Sequence, residues 1–173
     1  MSFIALAKSR YSCRSFSERT VEREKLESVL EAGRIAPTAT NSQPVYVRVL
    51  ESSETIGKIR GLTRMAYNAP VVLMVSYDKS KSYRASKYGD EHDCGPEDAS
   101  IVATQMMLEA TDLGLNTLWA RGFNAETIEQ AFGFPENEKL VCLLDLGYAE
   151  PIHGGPSPRH SVRKPMSEFA VEL

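Results

Sequence analysis

The chain has 173 residues, with 20 Lys and Arg against 23 Asp and Glu, a net charge of −3. That length suits one domain of ordinary size, residues 1–173, closing its core without disulfides or metal. Hydrophobic residues at 42% and charged residues at 25% exclude a disordered chain, and the near balance of charge argues against a nucleic-acid binder, whose phosphate affinity needs surplus Lys and Arg.

In chain order, a short helix is expected from Ser2 to about Ser9. The opening "MSFIALAKSR" is too short in apolar residues for a membrane span and lacks a signal-peptide cleavage pattern. "TVEREKLESVLEAGRIAP" predicts a helix with Thr20 as N-cap, Glu22 and Glu24 in its first turn, Leu26, Val29, Leu30 and Gly33 on one face, and Pro37 as the stop. "VYVRVLE" alternates like a half-buried strand, and "PVVLMVSY" reads as a central strand covered on both faces. Residues 79–95 are polar and carry no apolar period, so a loop is expected there.

"PEDASIVATQMMLEATDLG" predicts a helix from Pro96 to Gly114 whose apolar residues cover more than one stripe, which places it in a core or a subunit interface. "NTLWARGF" reads as a short strand, "AETIEQAFG" as a short helix and "KLVCLLDLGY" as another buried strand. The tail from Ala149 holds four prolines and is expected to be extended. Helices and strands interleave without repeats, so the class is α/β or α+β, one sheet flanked by helices. Cys13, Cys94 and Cys142 include no CxxC pair and leave one thiol over in any disulfide scheme, which favours reduced thiols in a cytoplasm.

Several signatures are absent: GxGxxG after a strand, GxxxxGK[ST], HExxH and GxSxG. The "DEHDC" cluster at 90–94 has too few ligands at recognised spacings for structural zinc, so a solvated loop is expected and no metal. "RYSCR" is more specific. In an extended backbone Arg10, Ser12 and Arg14 share one side, and two guanidinium groups with a hydroxyl suit a phosphate dianion; an exposed, salt-bridged domain start is the alternative. "APTATNSQP" is flanked by prolines and offers Thr38, Asn41 and Gln43 as donors and acceptors for a pyrimidine-like ring edge, against ordinary turn chemistry.

These segments together carry a resemblance. RxSxR, then an APT-x-x-N-x-QP loop, then "EDASIVATQMMLEATDLGL" leading to "LWARGF", then "GY" and "RKPMSE", run over nearly the whole chain in the order of the FMN-dependent nitroreductase family, which the sequence resembles. The resemblance implies an α+β fold with a mixed, mainly antiparallel central sheet, helices on both sides, and a homodimer whose termini wrap the neighbour.

It implies FMN held at its phosphate and ribityl end by Arg10, Ser12 and Arg14, with Thr38, Asn41 and less firmly Gln43 reaching across from the other subunit. Arg121 and Gly122 of "WARG" would lie beside flavin N5, and Arg163 would add a phosphate contact, with Arg159 and Lys164 as weaker candidates. Some relatives carry an acid where Arg121 stands, and a cation there favours the anionic reduced flavin. The implied activity is reduction of nitroaromatic, quinone or related small-molecule acceptors by NAD(P)H, with no side chain assigned as a catalytic acid. Rival readings are a specialised branch performing dehalogenation or flavin fragmentation, for which residues 79–95 would have to serve as lid, and a flavin-binding sensor or carrier without turnover.

Overall fold

Residues 2–89 and 91–172 are described by a computed structural model of the chain. The strand β2, Val71–Asp78, is buried along all but its last residue, as its unbroken apolar run demands. It lies second in a four-stranded sheet, between β1, Val45–Leu50, and β4, Glu138–Gly147. The outer position beyond β4 belongs to β3, Asn116–Ala120, giving the order β1-β2-β4-β3. All three pairings are antiparallel, and among the described residues the parallel component is a single bridge from Ser12 to Thr117 on β3.

Helices cover both faces. On one lie α2, Arg23–Arg34, and α4, Gly95–Asp112, packed with Leu73, Val75, Cys142, Leu144 and Leu146. Gly33 allows that close approach, since a Cβ there would sit 2.8 Å from Met106 Cγ. On the other face α3, Ser53–Leu62, and α5, Ala125–Ala131, cover Val72, Met74, Leu140 and Leu143. The register shift at Val75/Ser76 leaves Val141 as the extra residue of a β-bulge, so both Val141 and Cys142 turn toward α4. A short helix α1, Phe3–Ser9, lies against α4, and the tail contains a 3-10 turn at Pro158–Ser161 and a single-turn helix α6, Met166–Phe169. No helix among the described residues is long and apolar enough to cross a membrane.

Two expectations, for the start of α2 and for the tail, need correction, and one helix has no counterpart in the sequence reading. The N-cap of α2 is Glu22, not Thr20, because Val21 is drawn into the core and keeps the chain extended there. The helix α3 escapes the sequence reading, since Gly57 and Gly61 interrupt it and it buries little beyond Ile56 and Ile59. The tail is not extended throughout, because Pro158 opens its 3-10 turn and Pro165 caps α6, roles that suit a residue without an N–H.

Candidate functional site

The expected alternation in "RYSCR" holds. Cys13 is buried, while Ser12 is half-buried and Arg14 exposed. The segment is held by backbone bonds on both flanks: Cys13 N–H donates to Thr117 O (3.0 Å), Ser17 N–H to Tyr148 O (2.8 Å) and Glu150 N–H to Ser15 O (3.0 Å). The Asn68 amide clamps Phe16, accepting from its N–H at 2.8 Å and donating to its carbonyl. Cys13 Sγ donates to Ser15 O at 3.1 Å and lies 3.6 Å from Gly154 O, so the buried thiol joins this segment to the start of the tail. Burial pushes that thiol's pKa up, which keeps it a neutral donor.

Beyond Gly154 the tail turns back toward α1. The Glu150 carboxylate accepts from Ile152 N–H at 3.0 Å, and His160 Nε2 meets Lys8 O at 3.0 Å. The His160 ring stands edge-on to Tyr11, centroids 6.2 Å apart. The consequence is a cavity of about 570 Å³ lined by Arg10, Ser12, Arg14, Ser157, Arg159, His160 and Arg163.

Four guanidinium groups face this cavity, and among the described residues none of them is paired with a carboxylate. Burial and then the charge of Arg163 pull the Arg10 pKa below its usual value. Arg10 is half-buried and Arg14, Arg159 and Arg163 are exposed, and cations gathered in this way can attract an anion, arginine forks matching the tetrahedral oxygens of a phosphate. Lys164, by contrast, donates to Glu168 O at 2.9 Å and lies over the Phe169 ring, outside the cavity lining.

The other site residues lie elsewhere in this chain. Thr38 and Gln43 line a separate, largely apolar cavity of about 440 Å³ between α2 and β1. Thr38 Oγ1 accepts from Gln43 N–H at 3.0 Å, so that hydroxyl is partly engaged in shaping its own loop. Asn41 is exposed, with φ 57°. Arg121 and Gly122 follow the C-terminal end of β3, four residues or about 13 Å beyond Thr117 at strand spacing. Arg121 lies over the Phe123 ring, and a Cβ on Gly122 would come within 3.0 Å of Met65 Sδ.

Residues 79–89 and 91–95 are folded onto one another. Arg84 bridges to Asp93, whose carboxylate also takes bonds from Tyr77, Ser82 and Gly95, while Tyr88 at the tip is exposed. His92 pairs with Glu97 at 2.8 Å; Asp90, the first residue of the "DEHDC" cluster, lies outside the described residues. Ser157 and His160 were not singled out from the sequence, although "SPRHSVRK" packs four basic residues and two serines into eight positions.

Known proteins resemble this chain in sequence and fold. A nitroreductase family protein of Clostridium difficile is 39% identical, with 99% of this chain and 98% of that one aligned at a TM-score of 0.91. A provisionally named NADH dehydrogenase/NAD(P)H nitroreductase of Archaeoglobus fulgidus is 29% identical over 81% of each chain. A provisionally named nitroreductase of Exiguobacterium sibiricum, solved in complex with FMN, shares the fold at a TM-score of 0.83 and 22% identity, over 100% of this chain and 98% of that one. The profile of the nitroreductase family matches residues 7–64 and 60–148, and the chain belongs to that family.

Proposed function

We propose that residues 1–173 form one FMN-binding domain of a homodimeric, cytoplasmic oxidoreductase that passes electrons from NAD(P)H to nitroaromatic, quinone or related acceptors. The observation that carries the reading is the cavity of Arg10, Arg14, Arg159 and Arg163, which no carboxylate among the described residues neutralises. A phosphate monoester dianion relieves the Arg10–Arg163 repulsion, and Ser12 adds a hydroxyl donor. The FMN complex of the Exiguobacterium protein supports the choice of ligand.

When bound, FMN supplies hydride acceptance and donation at N5. This chain's residues bind and orient it. Arg10, Ser12, Arg14 and Arg163 grip the phosphate and ribityl end, and the Arg121–Gly122 segment lies near the ring, with the Arg121 cation favouring negative charge there. Thr38 and Gln43 line a different cavity of the same chain and Asn41 is exposed beside them, and family likeness assigns all three to the flavin of the neighbouring subunit.

Exposed apolar side chains support the dimer. Ile101 on α4 is 42% exposed beside Phe3, and Met166, Phe169 and Val171 stand out along the tail, Phe169 at 71%. Such residues in sequence-adjacent groups call for a covering surface. NAD(P)H and the acceptor then use the uncovered flavin face in turn.

Purified protein is expected to be yellow, to elute as a dimer, to bleach anaerobically with NADH or NADPH and to recover colour on adding a quinone or nitroaromatic. Absence of flavin defeats the proposal. Bound flavin that neither bleaches nor reoxidises leaves the sensor or carrier reading.

A further inference from the structure

The loop from Thr38 to Gln43 holds an unfavourable backbone. Thr40 (φ 53°), Asn41 (φ 57°) and Gln43 (φ 48°) all occupy the left-handed region, which side chains disfavour. Such a run persists only where the surroundings over-determine it. Bonds inside the loop contribute: Asn41 N–H to Thr38 O at 3.0 Å, Ser42 N–H to Ala39 O at 3.1 Å and Gln43 N–H to Thr38 Oγ1 at 3.0 Å. None of these ties the loop to the rest of the protein.

Asp98 does. It lies in the second half of the first turn of α4, is 2% exposed, and accepts from Ala39 N–H through Oδ1 at 2.8 Å. Its Oδ2 is buried and has no hydrogen-bond partner. A buried carboxylate is costly to keep for stability alone, and this one spends its bond on an exposed loop. Burial raises its pKa while the Ala39 N–H draws it back, so the bond is also what favours the charged form.

We infer that Asp98 is a positioning residue: through the Ala39 N–H it holds the loop 38–43, left-handed at Thr40, Asn41 and Gln43, in the shape that presents Asn41 and its neighbours to the flavin. The inference rests on the loop contact proposed above. Asp98 itself does not touch the cofactor.

The test compares Asp98→Ala, Asp98→Asn, Ala39→Pro and Asn41→Ala in the full-length protein, reading FMN affinity by fluorescence quenching and the midpoint potential of the bound flavin. Loss of a hydrogen bond to a charged group predicts about tenfold to hundredfold weaker FMN binding in Asp98→Ala, with a shifted potential. Asp98→Asn keeps an acceptor oxygen and stays within about threefold of the parent protein.

Ala39→Pro deletes the donor from the other side. Thr38, at φ −130° and ψ 157°, already has the extended backbone that a following proline requires, and the 3-10 geometry of Ala39 suits the ring. This variant reproduces the Asp98→Ala shift, and the double variant adds nothing to either single one. Should Asp98→Ala fail to fold, Ala39→Pro carries the test. Unchanged affinity and potential in Ala39→Pro, or a lowered melting temperature without a change in flavin potential, overturns the inference while Asn41→Ala still weakens binding. A silent Asn41→Ala refutes the loop contact itself, and the positioning role with it.

Discussion

Replacing Arg10 and Arg14 together by glutamine tests the anion site most directly. Each guanidinium offers charge-assisted bonds worth about 1.5–3 kcal/mol to a phosphate, so the pair contributes about 3–6 kcal/mol. At about 1.4 kcal/mol per tenfold this spans about 10²- to 10⁴-fold in FMN affinity. Arg14 is exposed and salt screens it, whereas Arg10 is half-buried beside Arg163, which sets the expectation near 10²-fold at physiological ionic strength, most of it from Arg10. The assay is flavin fluorescence quenching, titrated in parallel with FMN and with riboflavin, which has the same ring and no phosphate. Riboflavin affinity is expected to stay within about threefold. The flavin-free protein should melt no lower after the substitution, because the repulsion between Arg10 and Arg163 is gone. An FMN affinity unchanged within threefold, or an equal loss for riboflavin, refutes the phosphate assignment.

Gly154→Ala places a Cβ 2.5 Å from the Glu150 backbone N and O, a contact only a displaced tail can relieve. Because Ser157, Arg159 and Arg163 lie beyond it, FMN affinity should fall at least tenfold while far-UV circular dichroism of the core is retained. Gly95→Ala puts a Cβ 1.9 Å from Tyr77 Cδ2 at the start of α4, and should destabilise the fold by about 2–3 kcal/mol in urea unfolding.

What the sequence showed clearly was local and repetitive. The alternation around Cys13 was legible because an extended segment puts every second side chain on one side, and Arg10, Ser12 and Arg14 do line one cavity. The long apolar runs of β2 and β4 were legible for the same reason, since burial on both faces leaves few polar positions, Ser76 and Asp145 being exceptions. The return of the tail was not. Nothing periodic joins Arg159 to Arg10, and their meeting depends on Gly154 and on the Cys13 thiol beneath both segments. Asp98 is instructive because "PEDAS" reads correctly as a helix start with acids in its first turn, a role that needs only the helix dipole. That one of the two acids is buried and bonded to a loop 59 residues away is a fact of packing.

Asp145 makes the same point and yields a sharper prediction. It sits in the middle of "LLDLG" on β4, is fully buried, and neither carboxylate oxygen has a hydrogen-bond partner. Burial pushes its pKa up to about 8, offset in part by Arg60. In the unfolded chain an aspartate titrates near its ordinary value of about 3.9. Between these values the native state binds more protons than the unfolded state, so stability falls as pH rises. The contribution is fully present below about pH 4, declines by about 1.4 kcal/mol per pH unit, and levels off once pH passes the folded value. In Asp145→Asn that dependence vanishes. The variant should match the parent protein within the cost of an unpaired amide near pH 4 and exceed it by several kcal/mol near pH 8, as read by urea unfolding at both pH values. The difference between the two proteins isolates this carboxyl from every other titrating group. Parallel pH profiles would show instead that Asp145 is ionised in the folded protein, held by Arg60.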